Sequence, residues 1–202
     1  MRPMTEPVAA ALAPPSAPGA EQYPSLDFAN SAIALPGGHF LDLIGTPATA
    51  GQWLTERGLA PDDPGLQEMC AAQLRTLREQ IRALIASKLG GHPAPVSALH
   101  AINEALTRAP AATLLYWDAD RGLHRAGAHP TTQVVEHALA TLAADAADLL
   151  TGAAAERLTA CGSPPCTRYL LRHGRRHWCS TRCGDRARAA RAYARRTQPA
   201  PR

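Results

Sequence analysis

The chain has 202 residues and a formal net charge of +4. That length suits one medium domain, or one domain with a small appendage, and a 46% hydrophobic content excludes wholesale disorder. Aromatic residues are only 4%, so the core must be aliphatic and alanine-rich, and no apolar run reaches the ~18 residues that a membrane span needs.

Residues 1–22 are rich in alanine and proline and read as a disordered tail. Prolines interrupt their one apolar patch, and no clean cleavage site follows, so a signal peptide is not expected. A short helix is predicted over 25–34, followed by a loop at Pro36-Gly37-Gly38. A second short helix is predicted over 47–57, with Thr46 as its cap, Pro47 in its first turn and Gly58 at its end.

Asp63-Pro64 is expected to open a longer helix that Gly90-Gly91 stops. Its apolar stripe is Leu66, Cys70, Leu74, Leu77, Ile81, Leu84 and Ile85, spaced at three and four residues. Cys70 lies on that stripe and reads as a small core hydrophobe. Another helix is predicted over 96–108, closed by Pro110. The segment TLLYWD at 113–118 suits a strand, the turn 120–122 follows, and LHRAG at 123–127 is its expected partner. A long helix over 131–151, ended by Gly152, completes this region.

Residues 23–152 therefore read as a helix-dominated α+β domain with a short hairpin. It contains no glycine-rich phosphate loop, nucleophile elbow or HExxH motif. Its carboxylates and histidines are scattered, which suits caps and surface positions, so no catalytic residue is expected.

The mild net charge conceals a division. Residues 158–202 hold eleven arginines and one acid, Asp185, for a net +10, and residues 1–157 carry −6. Such asymmetry points to a segment that meets an anion, most often nucleic acid. The same segment holds Cys161, Cys166, Cys179 and Cys183, spaced C-x4-C and C-x3-C with twelve residues between the pairs. In a chain expected to be cytoplasmic, thiols stay reduced, and two close pairs read as a metal site. Four thiolates complete a tetrahedral structural zinc and leave no position for water, so the chain is not expected to be an enzyme.

The first pair brackets the turn sequence Gly162-Ser163-Pro164-Pro165. A hairpin is expected from Thr167–Leu171 and Arg175–Trp178 around His173-Gly174. Ser180 then caps a helix whose first turn carries Cys183. The result is a treble-clef-like module over 157–197 that ends in a basic helix, with a tail at 198–202. On that helix Cys183, Ala187, Ala190 and Ala194 share one face, expected to lie against the hairpin. Arg182, Arg186 and Arg196 flank it on one side with Tyr193, and Arg188, Arg191 and Arg195 on the other. With Arg175 and Arg176, these arginines are the candidate phosphate contacts. The module is too small to bury much core, so zinc is expected to supply its folding energy.

These residues resemble the CGNR zinc-finger family, whose bacterial members usually pair that finger with an N-terminal ABATE domain. The first cysteine pair matches Cys161 and Cys166, the Trp-Cys-Ser step matches Trp178-Cys179-Ser180, and the signature matches Cys183-Gly184-Asp185-Arg186. Asp185 replaces the signature asparagine, and the last two cysteines are separated by three residues where the family often has four. At the N-terminus the resemblance rests on Leu26-Asp27-Phe28-Ala29-Asn30, Asp42-Leu43, Pro47, Trp53-Leu54 and Gly58-Leu59.

The resemblance implies a stress-induced transcription regulator of bacterial type: a zinc finger that contacts duplex DNA, and a domain that senses an unidentified small-molecule effector or sets a homo-oligomeric state. The alternative is a zinc-stabilised protein-interaction or dimerisation module without nucleic-acid binding. Only Tyr169, Trp178 and Tyr193 are available in the finger for base stacking, which disfavours single strands.

Overall fold

A computed structural model describes residues 14–109, 113–127 and 133–197. The first thirteen residues of the expected N-terminal tail, Pro110, positions 131 and 132 of the expected long helix, and the 198–202 tail lie outside them. The fold is α+β. It has a helix-rich N-terminal region, small two-stranded hairpins, and a four-cysteine cluster followed by a helix. The chain divides into two compact units, one of residues 43–150 and one of residues 1–42 with 151–202.

In the 43–150 unit, α2 spans Pro47–Glu56, the second helix of the chain after the short α1 (Pro24–Ala29). The Thr46 hydroxyl accepts from the Thr49 amide at 3.2 Å, and the Thr49 hydroxyl accepts from the Thr46 amide at 3.1 Å. This reciprocal box satisfies two amides that would otherwise lack acceptors, and it fixes the helix start where the sequence places it. Helix α2 buries Trp53 and Leu54, with the Arg57 guanidinium 4.1 Å above the Trp53 ring.

Helix α3 spans Glu68–Gly90 and starts later than Asp63-Pro64 suggested. Asp63 has φ 48° and Gly65 has φ 59°, so the chain turns through left-handed conformations there and Leu66 stays outside the helix. Gly91, left-handed at φ 65°, ends it as expected. The stripe Leu74, Leu77, Ile81, Leu84 and Ile85 is buried. Each such side chain contributes about 1.5–3 kcal/mol on burial. Cys70, in the first turn, is only half-buried. Helix α4 (Val96–Arg108) packs on α3 through Ala98, Ile102 and Ala105.

Strands β3 (Thr113–Asp118) and β4 (Gly122–Gly127) pair antiparallel, with Thr113 opposite Gly127 and Asp118 opposite Gly122. Asp118 shapes the turn: its Oδ1 accepts from the amides of Asp120 at 3.0 Å and Arg121 at 2.7 Å. Helix α5 (Val134–Thr151) buries Ala138, Leu139, Leu142, Ala146 and Leu149.

The other unit carries the cysteines. Helix α1 is Pro24–Ala29, and it stops short of the expected residue 34 because Ala32–Ala34 form strand β1, paired with β2 (Phe40–Asp42). Asn30, just past the helix, is buried and spans to a distant strand. Its Nδ2 donates to the Tyr169 carbonyl at 2.9 Å, and its Oδ1 accepts from the Tyr169 amide at 2.7 Å. A side-chain amide thus binds a backbone as another strand would.

Tyr169 lies in β6 (Tyr169–Leu171), which pairs antiparallel with β5 (Leu158–Ala160), Leu158 facing Leu171. The expected hairpin partner of 167–171 was 175–178. Those residues form no strand, because Arg175, Arg176 and His177 are exposed and supply no apolar face, whereas Leu158 is buried. Residues 14–22, which composition assigned to a disordered tail, form a turn with buried Ala17 and Ala20. The Leu171 amide donates to the Pro18 carbonyl at 2.8 Å. Gly19 has φ 93°, and a Cβ there would lie 2.5 Å from Leu171 Cγ, so only glycine fits. The last described element is α6 (Thr181–Thr197).

Candidate metal centre and basic helix

The four cysteines come from three local structures. Cys161 follows β5, Cys166 closes a turn in which its amide donates to the Ser163 carbonyl at 3.0 Å, and Cys179 and Cys183 straddle the start of α6. The Ser180 hydroxyl accepts from the Cys183 amide at 3.2 Å, which is the cap read from the sequence. All four Sγ atoms lie within 4.8 Å of one another, and Cys166–Cys179 and Cys179–Cys183 are each 3.6 Å apart. Sulfurs bound tetrahedrally at about 2.3 Å from zinc sit roughly 3.8 Å apart, so the cluster fits one structural zinc ion. Cys161, Cys179 and Cys183 are buried, packed with Ala17, Leu170 and Trp178. Among the described residues the cluster contains no histidine.

The ionisation of the thiols makes the same point. Hydrogen bonds from Cys166, then Cys179, hold the Cys161 thiol well below its ordinary value. Cys166 is pushed far up, first by its bond to Cys161, and Cys179 is pushed up to about 11 for the same first reason. One thiolate is stabilised at the expense of its neighbours. Zinc binds cysteine in its thiolate form, so its binding releases the remaining thiol protons.

Two arginines complete the centre. Arg168, which is 2% exposed, directs Nη1 at Cys179 Sγ (3.7 Å) and Nη2 at the Pro15 carbonyl (2.9 Å). Arg186 donates from Nη2 to Cys183 Sγ at 3.3 Å and to the Ser163 carbonyl at 2.9 Å, and from Nε to the Pro164 carbonyl at 3.0 Å. Zinc with four thiolates carries a net −2, and these two guanidiniums offset it. That balance accounts for a buried arginine beside sulfur. Arg168 was not among the sequence candidates. Its signal was a lone charge within the otherwise buried run Arg168-Tyr169-Leu170-Leu171.

The candidate phosphate contacts separate in the structure. Arg186 is half-buried and committed to the knuckle between Cys161 and Cys166. Arg175, Arg176, Arg182, Arg188, Arg191, Arg195 and Arg196 are exposed. Arg176 Nε donates to the Trp178 carbonyl at 3.0 Å. Arg188 pairs with Asp185 at 2.6 Å, and the guanidiniums of Arg188 and Arg191 lie 5.6 and 5.5 Å from the Trp178 ring centre. Trp178 is thus a platform that holds one arginine flank in place.

The expected alanine seam is buried only at its start. Cys183 and Gly184 are the buried residues of α6, Ala187 is half-buried, and Ala190 and Ala194 are exposed. The finger is too short to follow the helix further, since its knuckle and Trp178 line a groove that reaches only as far as Ala190 and Arg191. The C-terminal half of α6 is left mostly exposed, with Arg191, Tyr193, Ala194, Arg195 and Arg196 on its surface.

Fold and site together define a two-part chain: a helix-rich region and a four-cysteine zinc module that ends in a basic helix. Comparison with protein families agrees. Residues 22–153 match the ABATE family, described as "Putative stress-induced transcription regulator", and residues 157–196 match the CGNR zinc finger. The chain belongs to the ABATE family, with a CGNR zinc finger at its C-terminal end. Comparison with curated proteins gave no match. No helix among the described residues is long and apolar enough to cross a membrane.

Proposed function

We propose that this protein is a cytoplasmic DNA-binding transcription regulator whose zinc module places α6 against duplex DNA. The observation that carries this reading is the exposed half of α6. Arg191, Arg195 and Arg196 extend beyond the zinc cluster, Arg188 stands beside them, and the one acid of the helix, Asp185, is already paired. Like charges on an exposed helix repel one another, and a polyanion relieves that repulsion. Phosphate contacts from Arg175, Arg182, Arg188, Arg191, Arg195 and Arg196 give affinity and position, and base edges within reach of the helix give whatever sequence preference exists.

The zinc is structural in this reading. Four cysteine ligands leave it no open coordination position, and the chain acts by binding rather than by catalysis. The remaining residues sense a signal or set the oligomeric state. An anisotropy titration of the zinc-loaded chain against duplex DNA at several salt concentrations tests the proposal. Affinity should fall steeply with salt, and absence of binding at about 50 mM salt refutes it.

A protein-interaction role is the second reading. It is supported by the β3–β4 ribbon, where Leu115, Trp117 and Leu123 are 69–72% exposed on one face. Loss of an oligomer on substituting Trp117, with DNA binding unchanged, assigns oligomerisation to that ribbon. Absence of DNA binding altogether leaves this second reading as the function.

A further inference from the structure

A cavity of about 430 Å³ opens beside the zinc cluster, within the unit that carries it. That volume falls in the range of small-molecule sites, about 300–1,000 Å³. Part of its lining is apolar, from Pro14, from Ile33 and Ala34 of β1 and from Leu35 and Pro36 after it, with His39 beside them. The rest comes from Ser180 and Arg182 at the start of α6, from Arg168 and Arg186, and from Cys166, Cys179 and Cys183.

Charge bookkeeping narrows the ligand. Arg168 and Arg186 face the −2 of a zinc bound by four thiolates, and both guanidiniums bond to sulfur. Arg182 is left over. It makes no hydrogen bond or ion pair among the described residues, and it stands in the first turn of a 17-residue helix, where the backbone dipole is positive. Arg168 also lines the cavity, and its buried Nε has no acceptor among the described residues. The lining therefore carries about one uncompensated positive charge beside a mainly apolar surface.

We propose that this cavity binds an organic monoanion, a carboxylate on a short hydrocarbon or aromatic body. The carboxylate lies at Arg182 and the first turn of α6, and the body lies against Ile33, Leu35 and Pro36. A multiply charged ion such as phosphate lacks the apolar half of the interaction and exceeds the available charge. A neutral alcohol of the same body lacks the anchor. The site requires the 33–36 segment and the finger to fold together. Arg182 is also among the proposed phosphate contacts, but the titration contains no nucleic acid, so its failure and that of the proposed function are distinguishable.

The test is calorimetric titration of the full-length, zinc-loaded chain with octanoate, benzoate, 1-octanol and inorganic phosphate. Amide shifts of residues 33–35 and 181–183 are followed in parallel by NMR. Octanoate or benzoate should bind saturably with one site per chain and at least about tenfold more tightly than octanol or phosphate. Arg182→Gln should weaken the carboxylate about tenfold or more while leaving octanol unchanged, and Leu35→Asp should weaken both. Arg182 is exposed and outside the zinc centre, so its variant keeps one zinc per chain and remains informative even where Leu35→Asp fails to fold. Phosphate binding as tightly as octanoate, carboxylate affinity unchanged in Arg182→Gln, shifts confined to other residues, or no saturable binding overturns the proposal.

Discussion

Arg186 is the sharpest place to separate structure from recognition, because its sequence position suggests DNA while its contacts point inward. In Arg186→Ala the Ser163 and Pro164 carbonyls and the Cys183 sulfur lose donors at 2.9, 3.0 and 3.3 Å. Hydrogen bonds from a charged donor are worth about 1.5–3 kcal/mol each. Arg186 is half-exposed, so water replaces part of that, and a total of about 2–4 kcal/mol is reasonable. Removal of such outer-shell partners typically lowers metal affinity about 10–100-fold, or about 1.4–2.8 kcal/mol, which agrees in size.

The assay is competition for zinc against a chromophoric chelator, with thermal melting alongside. Arg186→Ala should lose zinc affinity by that factor and melt earlier. Arg186→Lys should recover little, since an ammonium lacks the planar fork that reaches two carbonyls and a sulfur. Arg195→Ala, exposed in the last turn of α6, should leave zinc binding unchanged. Equal zinc affinity in Arg186→Ala and Arg195→Ala, with equal losses of DNA affinity, would return Arg186 to the phosphate contacts.

Cys166→Ser should lose stoichiometric zinc and expose the amides of residues 158–196 to exchange while residues 43–150 stay protected. One zinc per chain retained in that variant contradicts a four-cysteine site. Asn30→Ala strips the Tyr169 amide and carbonyl of their side-chain partners and should cost about 2–4 kcal/mol in thermal or urea unfolding, and an unchanged melt shows that the bridge carries no energy. Asp118 is held below its ordinary 3.8, chiefly by the hydrogen bond from the Arg121 backbone. Its contribution to the β3–β4 turn is thus present above 3.8 and fades as pH falls through the lower folded value. The Arg121 amide shift should titrate below 3.8, and a midpoint at or above that value contradicts the Asp118 turn.

What was legible in the sequence was whatever local chemistry decides. Thr46 and Pro47 fixed the start of α2, Gly91 fixed the end of α3, and cysteine spacing with Ser180 fixed the metal cluster and the start of α6. What was not legible depended on partners far along the chain. Strand β6 took β5 rather than the nearer 175–178, because pairing follows which segment offers buried leucine. Asn30 reaches across 139 residues to Tyr169, and no local pattern announces that bond. The Ala/Pro composition of 14–22 says disorder, yet Gly19 lets the backbone close on Leu171. The α6 arginines look alike in sequence, and only the positions of the Ser163 and Pro164 carbonyls and the Trp178 ring set Arg186, Arg188 and Arg191 apart.

The most direct test of the zinc-held basic helix is the salt dependence of duplex binding, measured for the zinc-loaded chain and for a variant with Arg188, Arg191, Arg195 and Arg196 all changed to alanine. Each phosphate neutralised contributes about −0.9 to the slope of log affinity against log salt concentration. The variant should keep one zinc per chain while its slope becomes shallower by about 3–4. An unchanged slope and affinity in a variant that still holds one zinc per chain contradicts the claim that α6 is the surface that meets DNA.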